Sequence, residues 1–184
     1  MTLSTYILPH HDNRISLKEG DTEAILFPDG KDIDKPTEGI PYETFHEALN
    51  AAGNMDKSRL RLRRDVQFSG QTTHTHTIGK DIHTELLLDG HTVTATNCVL
   101  DASAPNACLF IGDKEGRGRI EGNFRIRGNV YIGRDIPAGN IGNVSSADGS
   151  NPLLYRILAV VKSDAPISDR LCSWQWNISI LPRS

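Results

Sequence analysis

Short apolar runs that end at a glycine recur along the middle of the chain. The runs are Gln67-Phe68-Ser69-Gly70, Leu86-Leu87-Leu88-Asp89-Gly90, Leu109-Phe110-Ile111-Gly112 and Val130-Tyr131-Ile132-Gly133. Their glycines lie 20, 22 and 21 residues apart. A regular internal period of this size is typical of solenoids, in which each repeat buries its apolar face only by stacking on its neighbours. The sequence therefore predicts coils of similar length stacked along one axis.

The segments between these runs favour β-structure. Residues 91–96 and 124–129 show no 3.6-residue apolar period, which argues against helical repeats in this region. The predicted fold class is all-β, a short solenoid of about three or four parallel β coils. An antiparallel β-sandwich with evenly spaced hairpins is the alternative, because regular strand spacing occurs in both architectures.

One amphipathic helix is predicted ahead of the coils, within residues 42–52. Its apolar residues, at the spacing of a single helical face, are Phe45, Ala48, Leu49 and Ala52. Gly53 stands where a C-cap glycine would end the helix.

This helix, Phe45-His46-Glu47-Ala48-Leu49-Asn50-Ala51-Ala52, is followed by a strand pattern and then by the glycine-marked coils. The arrangement resembles the start of right-handed parallel β-helix domains of the pectate-lyase-like group, which are common in bacteriophage tailspikes. The resemblance covers residues 41–144. It implies a parallel β-helix-like body in a tailspike, tail fibre or capsid-decoration protein. It also implies that the helix covers the open end of the solenoid, where strand edges and apolar interior would otherwise meet water.

The chain divides into three predicted segments: an extended N-terminal docking arm (1–40), the capping helix with the solenoid body (41–145), and a C-terminal cap or oligomerisation segment (146–184). The arm is polar apart from two short apolar runs, and Ile25 and Phe27 in the second run are predicted partner contacts. In the last segment, residues 153–162 and 170–181 are predicted to form a β-hairpin. Trp174 and Trp176 share one face of its second strand and are predicted oligomer contacts.

Thr73-His74-Thr75-His76-Thr77 is the most distinctive local sequence. Strand alternation places both imidazoles on one face, about 7 Å apart. A three-fold axis would gather two imidazoles from each chain into an octahedral set, which suits an iron-group divalent ion. The spacing also resembles the metal-binding strands of trimeric phage fibres, which implies His74 and His76 as ligands at a trimer axis. A solvent-facing strand of alternating Thr and His is the alternative.

Composition and charge exclude several function classes. Lys+Arg 20 against Asp+Glu 23 gives a net charge of -3, which argues against a nucleic-acid partner. No stretch approaches the roughly 18 apolar residues of a transmembrane helix, so no membrane partner is expected.

Cys98, Cys108 and Cys172 form no CxxC pair and are predicted to be reduced thiols. Residues 1–13 lack the apolar run of a signal peptide, which predicts synthesis in the host cytoplasm.

Several carboxylates could form an acid and base pair for chemistry on sugars. They are Asp81, Glu85, Asp89, Asp101, Asp113 and Glu115. Their spacing singles out no pair, and Asp89-Gly90 is better explained as a turn. The sequence therefore predicts no catalytic residue and no enzymatic activity.

These patterns together predict a non-enzymatic structural component of a bacteriophage virion, either a capsid decoration or head fibre, or a small tail fibre or spike. A solenoid of few coils has a small core, so a homotrimer bound to other virion proteins is expected. No cofactor is predicted beyond the axial metal. The alternative is a β-helix protein that binds or acts on host polysaccharide, whose partner would be a surface glycan.

Overall fold

The structure is a computed structural model that describes residues 21–68, 74–133 and 135–147. The first half of the predicted arm, the glycine at position 70 and the predicted C-terminal hairpin with Trp174 and Trp176 lie outside the described residues.

The described residues contain one α-helix, α1 (Phe45–Ala52), and are otherwise mostly strand. The strands are β1 (Ala24–Phe27), β2 (Ile40–Tyr42), β3 (Ser58–Leu62), β4 (Val66–Phe68), β5 (His74–Thr77), β6 (His83–Leu87), β7 (Thr92–Ala102), β8 (Cys108–Gly112), β9 (Arg119–Gly128), β10 (Val130–Ile132) and β11 (Ile141–Ser146). Short 3-10 turns lie at Pro36–Glu38 and Ala138–Asn140.

The strand pairing is that of a parallel β-solenoid. One sheet has the order β10-β8-β6-β3-β1-β2, and the other has the order β11-β9-β7-β4, with β5 also paired to β7. From β3 onward all pairs are parallel, and each coil gives a strand to both sheets. Parallel neighbours need a long connection, which the strand in the opposite sheet provides. The predicted solenoid is confirmed, with about 3 turns, and the antiparallel sandwich is wrong.

The coils shorten along the axis. In the first sheet Ser58 lies beside Thr84, 26 residues on. Leu86 lies beside Ile111, and Ile111 beside Ile132, which are steps of 25 and 21 residues. The last three glycine-marked runs therefore stack on one another, but Gly112 lies beside Leu87 rather than beside Gly90. The first run does not belong to that column, because its strand β4 pairs with β7 in the other sheet.

Helix α1 has the predicted bounds and buried face. Phe45, Ala48, Leu49 and Ala52 are all buried in the main core cluster. Thr44 is the N-cap, and its Oγ1 accepts a hydrogen bond from the backbone N of Glu47 at 3.3 Å. Gly53 ends the helix at φ −63, so left-handed geometry does not explain it. Close packing explains the glycine instead, because a Cβ at this position would lie 2.4 Å from the carbonyl oxygen of Thr77.

The described part of the predicted arm packs against the body. Strand β1 runs antiparallel to β2 on one side and to β3 on the other. Ile25 and Phe27 are buried in a small second cluster with Ile33 and Leu87. Residues 24–27 thus belong to the body and not to an extended arm, since all four side chains of β1 are apolar and buried. A partner contact through these two residues stays a prediction, and in the structure both are covered by their own chain.

Candidate functional site: a histidine cluster under the capping helix

Strand β5 carries the two histidines that the sequence singled out. His74 and His76 lie beside Cys98 and Leu100 of β7, which belong to the main core cluster. The two imidazoles therefore share a face, as alternation predicts, but that face is turned to the interior and to α1. His76 is 1% exposed and His74 is half-buried. The solvent-facing strand considered as an alternative is therefore not what the structure shows for His76.

A third imidazole comes from the helix. The ring centroid of His46 lies 5.5 Å from that of His74 and 4.8 Å from that of His76, both edge-on. His46 lies on the exposed side of α1, so its ring reaches β5 from outside the apolar interface. We call His46, His74 and His76 the histidine cluster. Sequence reasoning missed His46, because only the docking of α1 on β5 brings the three rings together.

Asn50 connects two rings of the histidine cluster. Its Oδ1 lies 3.1 Å from Nδ1 of His76, and its Nδ2 lies 3.2 Å from Nε2 of His46. With the amide in this orientation, Nδ1 of His76 donates to the carbonyl oxygen, and the lone pair on Nε2 of His46 accepts from the amide nitrogen. Both bonds therefore fit neutral imidazoles.

Burial sets the charge of His76. The pKa of His76 is lowered from 6.5 to about 4, first because burial disfavours the charged ring, then because His46 and His74 lie beside it. At neutral pH this ring is uncharged. Proton uptake would place a charge where water does not reach, beside the rings of His46 and His74.

The predicted metal ion on a three-fold axis would require His76 to reach a surface shared by three chains. Such a site needs both imidazoles at the surface, whereas His76 lies under α1 of its own chain with Nδ1 bonded to Asn50. In the part of the chain that the structure describes, no group of three or more His, Cys, Asp or Glu side chains is placed to hold a metal. Metal binding by His74 and His76 stays a prediction.

The acidic candidates are mostly bonded within the solenoid. Asp113 is fully buried, and its carboxylate accepts the backbone N–H groups of Gly90, Arg117 and Gly118 at 2.7, 2.7 and 2.6 Å. Asp89 pairs with Arg61 of the preceding coil at 2.7 Å. These carboxylates tie one coil to the next.

Two further carboxylates also connect neighbouring coils. Asp101 pairs with Arg127 of the following coil at 2.9 Å. Asp135, which the sequence did not single out, accepts the backbone N–H of Asp113 at 2.9 Å. Burial raises the pKa of Asp135, and the neighbouring charge of Asp113 also raises it. Ion pairs and hydrogen bonds to backbone amides between coils explain the positions of these carboxylates without a substrate.

Fold and site together define a short parallel β-solenoid, closed at its first coil by a helix that rests on a histidine cluster. Comparisons with models of protein families, with curated proteins and with solved structures found no match. The described helices include none with the length and apolar character needed to cross a membrane.

Proposed function

We propose that the protein is a non-enzymatic structural component of a bacteriophage virion, a capsid decoration or head fibre, or a small tail fibre or spike, that assembles as a homotrimer. The coarse fold supports this proposal, because a parallel solenoid with a helix over its first coil is what the resemblance to phage β-helix domains implied.

The observation that carries the proposal is the last coil. Within residues 21–68, 74–133 and 135–147, β10 pairs only with β8 and β11 only with β9. Among the described residues, the outer edges of both strands have no neighbouring strand. Such edges are covered in native proteins, by their own chain or by another one. The predicted C-terminal segment, together with a second subunit or another virion protein, would complete the solenoid at this end.

The chemistry of the body supports a structural role rather than catalysis. Asp89 and Asp101 each hold an arginine of a neighbouring coil, and Asp113 is saturated by backbone amides. An acid and base pair for glycoside hydrolysis needs two carboxyl groups free to face a sugar. These three groups are already used to stabilise the stack.

Native mass spectrometry of the purified full-length chain tests the assembly. A trimer is expected, and an added mass of one iron-group ion per trimer would support the predicted axial metal. A monomer at micromolar concentration would overturn the homotrimer. The virion role is tested separately, by immunogold electron microscopy of particles produced from the genome that encodes the chain. Unlabelled particles would overturn that role, with antibody binding to the purified protein as the control.

One surface favours the second candidate, a protein that binds host polysaccharide. Phe110 and Tyr131 are neighbours on the outer face of the first sheet, and both are half-buried. The Phe110 ring lies over two glycines, since Cβ atoms at Gly112 and Gly133 would lie 2.8 and 3.0 Å from it. A flat aromatic surface beside the carboxylate of Asp135 is suited to the apolar face of a sugar ring.

A glycan array with matched variants decides this alternative. If the surface binds sugar, the wild type gives a signal that Phe110→Ala abolishes. The Ile40→Ala variant serves as the control, because Ile40 is an exposed apolar residue at the opposite edge of the same sheet. No wild-type signal against polysaccharides of the host would remove the candidate.

A further inference from the structure

The chain contains three Asp-Gly dipeptides, Asp29-Gly30, Asp89-Gly90 and Asp148-Gly149, and the structure describes the first two. An aspartate before glycine is prone to rearrangement, because glycine has no Cβ to keep its backbone nitrogen away from the side-chain carboxyl. Both described dipeptides lie in turns. They differ in the contacts that surround the reacting groups.

The rearrangement takes place within the chain. The backbone nitrogen of the glycine bonds to Cγ of the aspartate, and one carboxyl oxygen leaves as water with the amide hydrogen and a proton from the solvent. Water then adds to one carbonyl of the cyclic imide and breaks its bond to nitrogen. Cleavage at Cγ restores aspartate, whereas cleavage at the backbone carbonyl gives isoaspartate, in which the main chain runs through Cβ and Cγ. Contacts that hold either reacting group away from the other slow the first step.

At Asp89-Gly90 both reacting groups are held. The carboxylate of Asp89 bonds to Nε and Nη2 of Arg61, each at 2.7 Å, and the two side chains are only 22% and 21% exposed. The backbone N–H of Gly90 donates to Oδ1 of the fully buried Asp113 at 2.7 Å. The nitrogen therefore reaches Cγ only after two charge-assisted contacts are broken.

At Asp29-Gly30 neither reacting group is held in this way. The Asp29 side chain is 66% exposed, and its ion-pair partner is the exposed ammonium of Lys57 at 4.0 Å, a kind of contact that restrains little. In the part of the chain that the structure describes, the backbone nitrogen of Gly30 makes no hydrogen bond. A Cβ at Gly30 would meet no atom within 4 Å. The turn is closed by a bond from Lys31 N to Pro28 O, which involves neither reacting group.

This turn begins the loop between β1 and β2, and the rest of the loop packs against β3. Nη2 of Arg59 donates to the carbonyl oxygen of Lys31 at 2.7 Å, and Nη1 of Arg61 donates to that of Ile33 at 2.9 Å. Ile33 is buried in the second cluster. The loop is thus held after the turn, while the turn itself is open to solvent. An added main-chain carbon in the turn would displace the Lys31 carbonyl from Arg59.

We propose that Asp29 is a site of spontaneous isoaspartate formation, whereas Arg61 and Asp113 protect the same dipeptide at Asp89-Gly90. The modification needs no enzyme and no cofactor, because the water and the proton that enter or leave in the first step are returned in the second. The proposed modification does not depend on the virion role.

Peptide mapping of the aged full-length chain tests the proposal. The folded protein is kept at pH 7 for several weeks and digested, and electron-transfer fragmentation identifies isoaspartate by cleavage of its Cα–Cβ bond. Isoaspartate should accumulate at Asp29 about 10-fold faster than at Asp89, or more. Equal rates at the two sites, or a faster rate at Asp89, would overturn the proposal.

The chain unfolded in urea is the matched control, because both dipeptides are then free of these contacts. The two rates should become equal to within about threefold, since the contacts that separate the reacting groups are gone. A full difference that persists in urea would overturn the protection by tertiary contacts. The Asp29→Glu variant should yield no product at residue 29 and leave the rate at Asp89 unchanged, which confirms the assignment.

Two charge variants assign the protection to Arg61. Arg61→Gln frees the carboxylate of Asp89 and should raise the rate at that site by about fivefold or more. Lys57→Gln is the control, and the rate at Asp29 should stay within about twofold of the wild type, because an exposed ion pair restrains its partners little. An unchanged rate at Asp89 in folded Arg61→Gln would overturn the role of Arg61. If that variant does not fold, the comparison of folded and urea-unfolded wild type decides.

Discussion

At the first coil, helix α1 and the antiparallel strands β1 and β2 come from the same chain as the strands that they cover. At the last coil, within the described residues, β10 and β11 each pair on one side only. The first end buries its apolar surface with Phe45 and Leu49 from the helix. No described strand covers the outer edges of β10 and β11 at the second end.

The ends also differ in their response to acid. At the closed end, burial lowers the pKa of His76, so acid opposes the folded state. At the last coil, burial raises the pKa of Asp135, so acid favours the folded state there. The same physical cause, loss of water around a titratable group, acts in opposite directions because one charged form is a cation and the other an anion.

The largest expected effect is the loss of stability on truncating a core side chain at each end. Leu49→Ala should lower the free energy of unfolding by about 3 to 4 kcal/mol, because Leu49 is 1% exposed and enclosed by the helix and the coil. Ile132→Ala should cost less, about 2 kcal/mol, since Ile132 lies on the last strand of its sheet and its site collapses more readily. Urea unfolding measures both. A larger loss for Ile132→Ala would mean that the last coil is the better enclosed end.

Two glycines compare how tightly the chain is packed at the two ends of the solenoid. Gly53→Ala should cost about 2 to 3 kcal/mol, because the new Cβ would lie 2.4 Å from the backbone oxygen of Thr77. Gly139→Ala near the last coil is the matched control, since no atom lies within 4 Å of its Cβ. The free energy of unfolding of the Gly139→Ala variant should stay within about 0.5 kcal/mol of the wild type. Equal urea midpoints for the two variants would contradict the tight junction between α1 and β5.

Acidification should weaken the protein through His76. Its folded pKa of about 4 lies below the ordinary 6.5, so its contribution is present in full above pH 6.5 and is lost as pH falls towards 4. The free energy of unfolding should drop by roughly 2 kcal/mol between pH 7 and pH 5. Urea titrations at both pH values measure the drop, and His76→Asn should remove most of it. A drop that persists in this variant would place the responsible group elsewhere.

The smallest expected effects concern single polar bonds. Thr44→Ala removes the N-cap of α1 and should cost about 1 kcal/mol. Asn143→Ala removes a 3.4 Å contact with Asn123 between exposed side chains of the last two coils, and it should cost less than about 0.5 kcal/mol. Thermal unfolding at pH 7 compares the two. A reversed order would show that the last coil depends on its asparagines more than the first depends on its helix cap.

Local patterns in the sequence determined several features correctly. The apolar spacing from Phe45 to Ala52 fixed both the bounds of α1 and its buried face, because a helix places every third or fourth residue on one side. The turn at Asp89-Gly90 was also recognisable, and both residues adopt positive φ, 53 and 81. The last two glycine-marked runs stack at the 21-residue step of their glycines, whereas β6 and β8 stack at a step of 25 residues, which the glycine spacing did not indicate. The helix and the turn depend on residues close together in the chain.

Only the tertiary structure decided what lies against these elements. Alternation places His74 and His76 on the same face of β5, but it does not say whether water, a second chain or a helix covers that face. Strand β1 looks like part of an arm until its pairing with β3 is known. His46 has no sequence signal that connects it to β5, because the contact exists only once α1 is docked. Periodicity determines which side chains point the same way, whereas burial, charge and proton affinity depend on the neighbour that packing supplies.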